Sequence, residues 1–391
     1  MPPSADLAVA AILAPAPLCR GMQGCRVVRL SAGESLQAAI DGNPEGTVFV
    51  LGAGVWHQQQ FEAKSHDQFV GDAHGGTILT GDDKTSVLTS DNGATGVVFK
   101  DITVEHYASP LQMGAIHGVV GWSFIDDTFR DNAAGGLNIG HDTVVQGGHY
   151  IDNGEAGILG YKANNAKVIG AEIAGNNTAG NSMDWEAGGL KLTASSNVQL
   201  LDNYVHDNHG DGLWGDIADQ SFTIAGNTVV NNAYHGIQYE ISSGASIHDN
   251  TVSGNGGSGP VPGAQIFISS SGGADVWGNT VTVPGGRGDG IVVQADNRGD
   301  AVATANDQVH DNTIAFAGSN GVNGLRSFGG TVGSGNSFDH NAYYVAHSGD
   351  AHWMWLDPSA KGWSAYRSAT GQDGASTLHV GTAPAPSGKP R

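Results

Sequence analysis

One asparagine-spaced repeat constrains this chain more than anything else in it. From about residue 97 the same phase is held by Asp127, Gly148, Ala171, Asn203, Asn227, Asn250, Asn279, Asn312 and Asn336, and a second phase by Asn132, Asn153, Asn176, Asn208, Asn232 and Asn255. Asn203 to Asn227 is 24 residues and Asn227 to Asn250 is 23, with three longer coils among the rest. After each second asparagine comes glycine, then alternating apolar residues. A period of this length, built from short glycine-bounded apolar runs, fits three short strands and three turns per coil and no helical repeat. The chain therefore reads as an all-β, single-stranded parallel β-helix (a solenoid) with a short N-terminal α-helical cap. The asparagine columns themselves read as scaffold. Asparagine tolerates left-handed turns, and its amide can donate to one neighbouring coil while accepting from the other.

Composition supports many tight corners around one apolar column. There are 61 glycines, with 14% charged and 39% hydrophobic residues, too apolar for disorder and without a collagen period. The formal charge of −21 and the absence of a basic patch speak against nucleic acid as a partner. No segment is long and apolar enough to span a membrane. Cys19 and Cys25, outside the repeats, leave both one small disulfide and two free thiols open.

Three stretches follow in order: residues 1–25, an apolar, poorly ordered leader; residues 26–345, the β-helix with its cap; and residues 346–391, a C-terminal cap and tail. A helix is predicted at about 33–41, where the amphipathic Ser35-to-Ile40 segment would close an open end of the stack. Trp353, Trp355 and Trp363 would pack over the last coil. The capped ends favour a monomer, and the expected location is secreted, cell-surface or periplasmic.

Strand alternation sorts side chains into core and outward columns. Leu190, Leu192, Ile237, Tyr239, Ile266 and Ile268 should face the core. One outward column reads Asn138, Leu159, Lys191, Trp214, Gln238, Phe267, Val292. Another reads Gly140, Tyr161, Thr193, Asp216, Glu240, Ser269, Gln294. Asp216 and Glu240 should stack on adjacent coils, as should Lys191 and Trp214. The lengthened coil at 176–187 brings Asp184, Trp185 and Glu186 to the rim, and the next coils bring His209 and Asp211, then Tyr234 and His235.

Two chemistries suit this group. In one, Asp216 and Glu240 are the carboxyl pair of glycosidic hydrolysis. In the other, Asp216, Glu240 and Glu186 bind Ca²⁺, while Lys191 abstracts a sugar proton in a lyase or epimerase reaction. His209 is a further acid/base candidate. Trp214, Trp185, Tyr161, Tyr234, His235 and Gln238 are the substrate-binding candidates, their aromatic rings suited to the apolar faces of sugars. The competing reading is a solvated face on which Lys191 salt-bridges Asp216 or Glu186. His206, despite the motif HDNHGD, falls in a turn column and reads as scaffold. Under the enzymatic reading, Lys191→Ala and Glu240→Gln should stop turnover with melting nearly unchanged.

The opening SAGESLQAAIDGNPEGTVFVLGAGVW and the run EAGGLKL, HDNHGDGLWGD, GIQYEI give the chain its resemblance to a known group. It resembles the right-handed parallel β-helix proteins of the pectate-lyase-like superfamily, of the bacterial carbohydrate-active type. That resemblance implies the right-handed form of the helix, a polysaccharide or oligosaccharide partner, often with calcium, and an activity among lyases, hydrolases and epimerases, or a non-catalytic adhesion role. The paired-aspartate motif of polygalacturonases, the DPH-type motif of mannuronan epimerases and the arginine base of pectate lyases are not found, which leaves Lys191 as the base candidate.

Overall fold

The computed structural model describes residues 26–257, 263–298 and 303–383. The leader with Cys19 and Cys25 and the Pro-rich end of the tail lie outside the described residues. Among those described, the strands form three parallel sheets of 13, 13 and 11 strands, and in each sheet neighbouring strands are one coil apart in sequence. One coil runs through Ser123–Ile125 in the first sheet, Thr128–Arg130 in the second and Gly135–Ile139 in the third. This is the expected parallel β-helix.

The corners follow from local backbone chemistry. The residue after the first-sheet strand is Asp101, Asp126, Asp202, Asp249 or Asp311 in five coils, all at left-handed φ of 54–58°. In most other coils it is glycine, and in the last it is His340. A Cβ on Gly147 would lie 2.2 Å from Asp126 Oδ1, and one on Gly226 2.3 Å from Asp202 Oδ1. The aspartate carboxylate of one coil thus fills the space that glycine leaves in the next, and the left-handed turn suits both residue types.

Inside, like side chains stack by coil. Phe49, Phe69, Phe99 and Phe124 form one column, with successive centroids 5.3, 5.1 and 5.7 Å apart. The helix Leu36–Asp41, N-capped by Ser35 Oγ accepting from the Ala38 N–H, buries Leu36 and Ile40 over the first coil. At the other end Ala351–Gly362 pairs with Asn323–Phe328, and Thr377–Val380 with Ala342–Val345. The repeat thus continues past residue 345. The helix Trp363–Thr370 lies between these last two strands in the chain, and Trp353 packs 4.9 Å from Trp363 and 5.5 Å from Tyr343.

Both asparagine columns are buried ladders. Asn208 Nδ2 donates to Asn232 Oδ1 at 2.8 Å, and Asn232 Nδ2 to Asn255 Oδ1 at 2.9 Å. Gln265 takes the next rung, accepting from Asn255 Nδ2 at 3.0 Å. In the other column Asn312 donates to Asn341, not to Asn336. The counted period favoured Asn336, but this coil is longer, and Asn336 instead accepts from the Asp307 N–H at 3.0 Å. Each amide also bonds main-chain groups, so Asn232→Ala should leave partners on two coils unsatisfied and lower stability by about 2–3 kcal/mol. Urea unfolding of the variant measures this, and an unchanged midpoint would remove the ladder from the account of stability.

The third sheet carries the longer strands and sets the register of the outward columns. Lys191 lies opposite Trp214 and Trp214 opposite Gln238, while Thr193, Asp216, Glu240 and Ser269 follow one another on successive coils. Leu190, Leu192, Ile237, Tyr239, Ile266 and Ile268 are all fully or almost fully buried in the core.

Candidate active site

A cavity of about 470 Å³ opens on the outer face of the third sheet. Lys191, Trp214, Asp216 and Glu240 line its floor, Tyr161, Asp184, Trp185 and Glu186 its rim, and Gln112, Glu155 and Arg298 its ends. The strands Gly188–Thr193, Asp211–Asp216 and Ile237–Glu240 supply the floor. The loop after Asn177 carries the rim; Asn181 bonds back to Asn177 and to Gly154, which holds its base.

Lys191 is held on three sides. Its Nζ lies 2.9 Å from Asp216 Oδ2, sits 3.6 Å above the Trp214 ring and donates to the Trp185 carbonyl. Trp214 is consequently only 2% exposed and offers no open platform. Asp216 is equally enclosed, and its second oxygen, Oδ1, is buried without a protein partner. With carboxylate, ring and carbonyl all engaged, the expectation that Lys191→Ala leaves melting nearly unchanged no longer holds.

Glu240 stands beside Asp216 on the next coil. Its Oε1 pairs with Arg298 at 2.6 Å and its Oε2 accepts from Gln238 Nε2 at 2.7 Å. Burial pushes its carboxyl up to about 7; the Asp216 charge adds to this, while Arg298 opposes it. Gln238 is itself buried and supports Glu240 rather than meeting a ligand directly.

Glu155 was not singled out from the sequence. It is fully buried, accepts from the Gln112 N–H at 2.6 Å through Oε2, and leaves Oε1 without a partner. Burial, helped by the charge of Glu186, raises its carboxyl to about 7. The available signal was the Glu-Ala-Gly triplet, which occurs at 155–157 and again at 186–188. Arg298 was also missed, because it arrives from a loop with no repeat phase.

The remaining candidates divide. Tyr161 and Trp185 are 61% and 67% exposed at the rim. Glu186 lines the cavity with Gln112 Nε2 3.5 Å away. His209 is exposed and outside the cavity lining. Tyr234 and His235 also lie outside it, and both are buried. His235 stacks on Phe267 with ring centroids 4.2 Å apart, and its Nδ1 accepts from the Ala264 N–H. Burial lowers its pKa to about 3, so it is a neutral packing residue. Asp211 accepts from the His235 N–H, and burial holds its carboxyl well above the usual range. His206, placed outside the site by the sequence, contacts Glu172 and Asp207 on another face.

The donor set does not fit Ca²⁺. Among the described residues no three His, Cys, Asp or Glu side chains converge as metal ligands. Asp216 and Glu240 are each paired to a protein cation, and Glu186 lies on the rim. A calcium ion prefers six to eight oxygens, so none enters the chemistry below.

The family described as "Right handed beta helix region" matches residues 115–281. The chain folds as a right-handed parallel β-helix. No curated protein matches the chain. Among solved structures, XylC in complex with xylose is similar over 90% of this chain and 83% of its own, at 11% identity and a TM-score of 0.63. The catalytic domain of a GH87 α-1,3-glucanase in complex with tetrasaccharides is similar over 94% and 70%, at 12% identity and a TM-score of 0.57. The Dettilon tailspike protein is similar over 90% and 68%, at 13% identity and a TM-score of 0.50. These likenesses establish the fold of the β-helix and leave its chemistry to the site. Among the described residues no helix is long and apolar enough to cross a membrane.

Proposed function

We propose that this β-helix is a carbohydrate-active enzyme that cleaves glycosidic bonds by hydrolysis, with Glu240 as general acid and Asp216 as its partner carboxylate. The observation that carries this reading is the in-register Asp216–Glu240 pair in the floor of an aromatic-rimmed cavity. Adjacent coils lie ~4.8 Å apart, close to the ~5–5.5 Å between the carboxyl groups of retaining glycosidases. The two environments separate the roles. Asp216 faces the Lys191 ammonium and serves as the anionic nucleophile. Glu240, buried and raised to about 7, holds a proton for the leaving-group oxygen and afterwards takes one from water. Tyr161 and Trp185 offer open rings for sugar faces. Two proteins sharing the fold hold sugars in their structures, xylose in one and tetrasaccharides in the other, which makes glycans the first ligand class to test.

Lys191 is assigned a positioning role. Proton abstraction needs a free lone pair on Nζ, whereas its donor directions are spent on Asp216, Trp185 and the Trp214 ring. The test is incubation with a panel of neutral, amino and uronate glycans. Hydrolysis releases reducing ends without ultraviolet absorbance, and early product should keep the anomeric configuration of the substrate by NMR. Unsaturated, ultraviolet-absorbing product would replace hydrolysis with β-elimination. Binding without any cleavage would leave a sugar-binding or adhesion protein.

A further inference from the structure

The carboxyl groups that line the cavity differ in their partners. At the Asp216–Glu240 pair each carboxylate has its own cation, Lys191 and Arg298. Elsewhere in the lining stand Glu155, Asp184 and Glu186, with the exposed Trp185 and Tyr161 rings. Among the described residues none of these three carboxyl groups has a lysine, arginine or histidine within ion-pair distance, while Lys191 is committed to Asp216. Asp184 is within hydrogen-bonding reach of the Tyr234 hydroxyl and Glu186 of Gln112, both neutral partners.

Acidic residues on a rim alone would mean little, since a solvated carboxylate needs no partner. Glu155 is different. It is fully buried at the wall of the cavity, its Oε2 is satisfied by the Gln112 N–H, and its Oε1 meets no donor from the protein. Buried polar atoms are nearly always hydrogen-bonded, so an unmatched carboxylate oxygen on a side chain that lines the cavity points to a donor supplied by a ligand.

Resting on the hydrolase reading of the same site, we infer that the glycan this cavity takes is an amino sugar, whose protonated amine is received by Glu155, with the Asp184 and Glu186 charges adding to the attraction. The ammonium group supplies several donors and one positive charge, matching an acceptor-only wall that has no cation of its own. The neighbouring Trp185 and Tyr161 faces attract a cation as well as the apolar face of a sugar ring. A uronate would place a further carboxylate against three unpaired ones, and the formal charge of −21 on the whole chain opposes a polyanion before contact. Polyuronates are thus the poorest fit to this wall.

Calorimetric titration of the full chain with three oligosaccharides of equal length tests the assignment: glucosamine, N-acetylglucosamine and galacturonate oligomers. The glucosamine oligomer should bind ~10- to 100-fold more tightly than its acetylated form, the range expected for a charge-assisted contact. In Glu155→Gln and in Glu186→Gln that ratio should fall towards one. Glu186 is half-exposed, so its variant keeps the test decisive where Glu155→Gln fails to fold. Equal or tighter binding of the acetylated or uronate oligomer overturns the inference, as does a ratio that survives both substitutions. Cleavage is scored separately. Amine-selective binding without release of reducing ends keeps this assignment and removes the hydrolase reading; hydrolysis without amine selectivity does the reverse.

Discussion

Glu240→Gln should lower turnover by about 10²- to 10⁴-fold, the usual contribution of a general acid, while the protein still folds. The amide keeps the shape of the carboxyl and can still accept from Arg298 through one oxygen. What it loses is the transferable proton. In the wild type the limb of the pH–rate profile set by this group should fall as pH rises through about 7, because only protonated Glu240 can assist the leaving group. The variant should lack that limb. Stability provides an independent check with a definite sign. Burial raises the Glu240 carboxyl from an ordinary 4.5 to about 7, so between these values the folded state binds more protons than the unfolded state. The contribution of this group to stability is therefore full below about 4.5 and is lost as pH rises through about 7. Denaturant midpoints should show wild type losing ground to Glu240→Gln between pH 5 and pH 8. Full activity in the variant, or identical pH dependence of the two midpoints, would take the proton off Glu240.

Much of this site is legible in the sequence, because strand alternation and coil register are strict. The columns through Lys191 and through Asp216 are the ones that sequence spacing puts together. What alternation could not supply is what happens above the sheet. Trp214 points outward as expected, yet the Lys191 side chain covers it, turning an anticipated sugar platform into the bed of an ammonium group. His235 was placed on the rim because it precedes a strand, but Phe267 on the next coil draws it into a stack. Glu155 also sits just before a strand, in a turn where no two-residue period fixes the side chain, and there the chain directs a carboxyl into the cavity. Asn336 was misplaced for a related reason. A ladder counts coils, not residues, and a lengthened coil moved the rung to Asn341. Regular strands were legible; loop-borne groups such as Arg298 were not.

Lys191→Ala should destabilise the protein by about 3–5 kcal/mol, the range for breaking a buried ion pair from one side. The Lys191 and Asp216 side chains are only 13% and 7% exposed, so water cannot replace the lost ammonium effectively. Asp216 would then hold two unpartnered oxygens, since Oδ1 already has none from the protein. Trp214 would also lose the cation above its ring, worth about 0.5–2 kcal/mol. Asp216→Asn alone should cost less, because Lys191 keeps the Trp214 face and the Trp185 carbonyl. The double variant should be more stable than Lys191→Ala, because the uncompensated charge is gone. Urea unfolding of the four proteins closes this cycle and reports a coupling energy for the pair. Turnover should not return in the double variant, since the nucleophilic carboxylate is absent from it. If instead Lys191→Ala unfolds like wild type and the coupling is near zero, the ion pair is loose in solution. Nζ would then be free to take a proton from a sugar, and β-elimination with Lys191 as base would become the better account of this cavity.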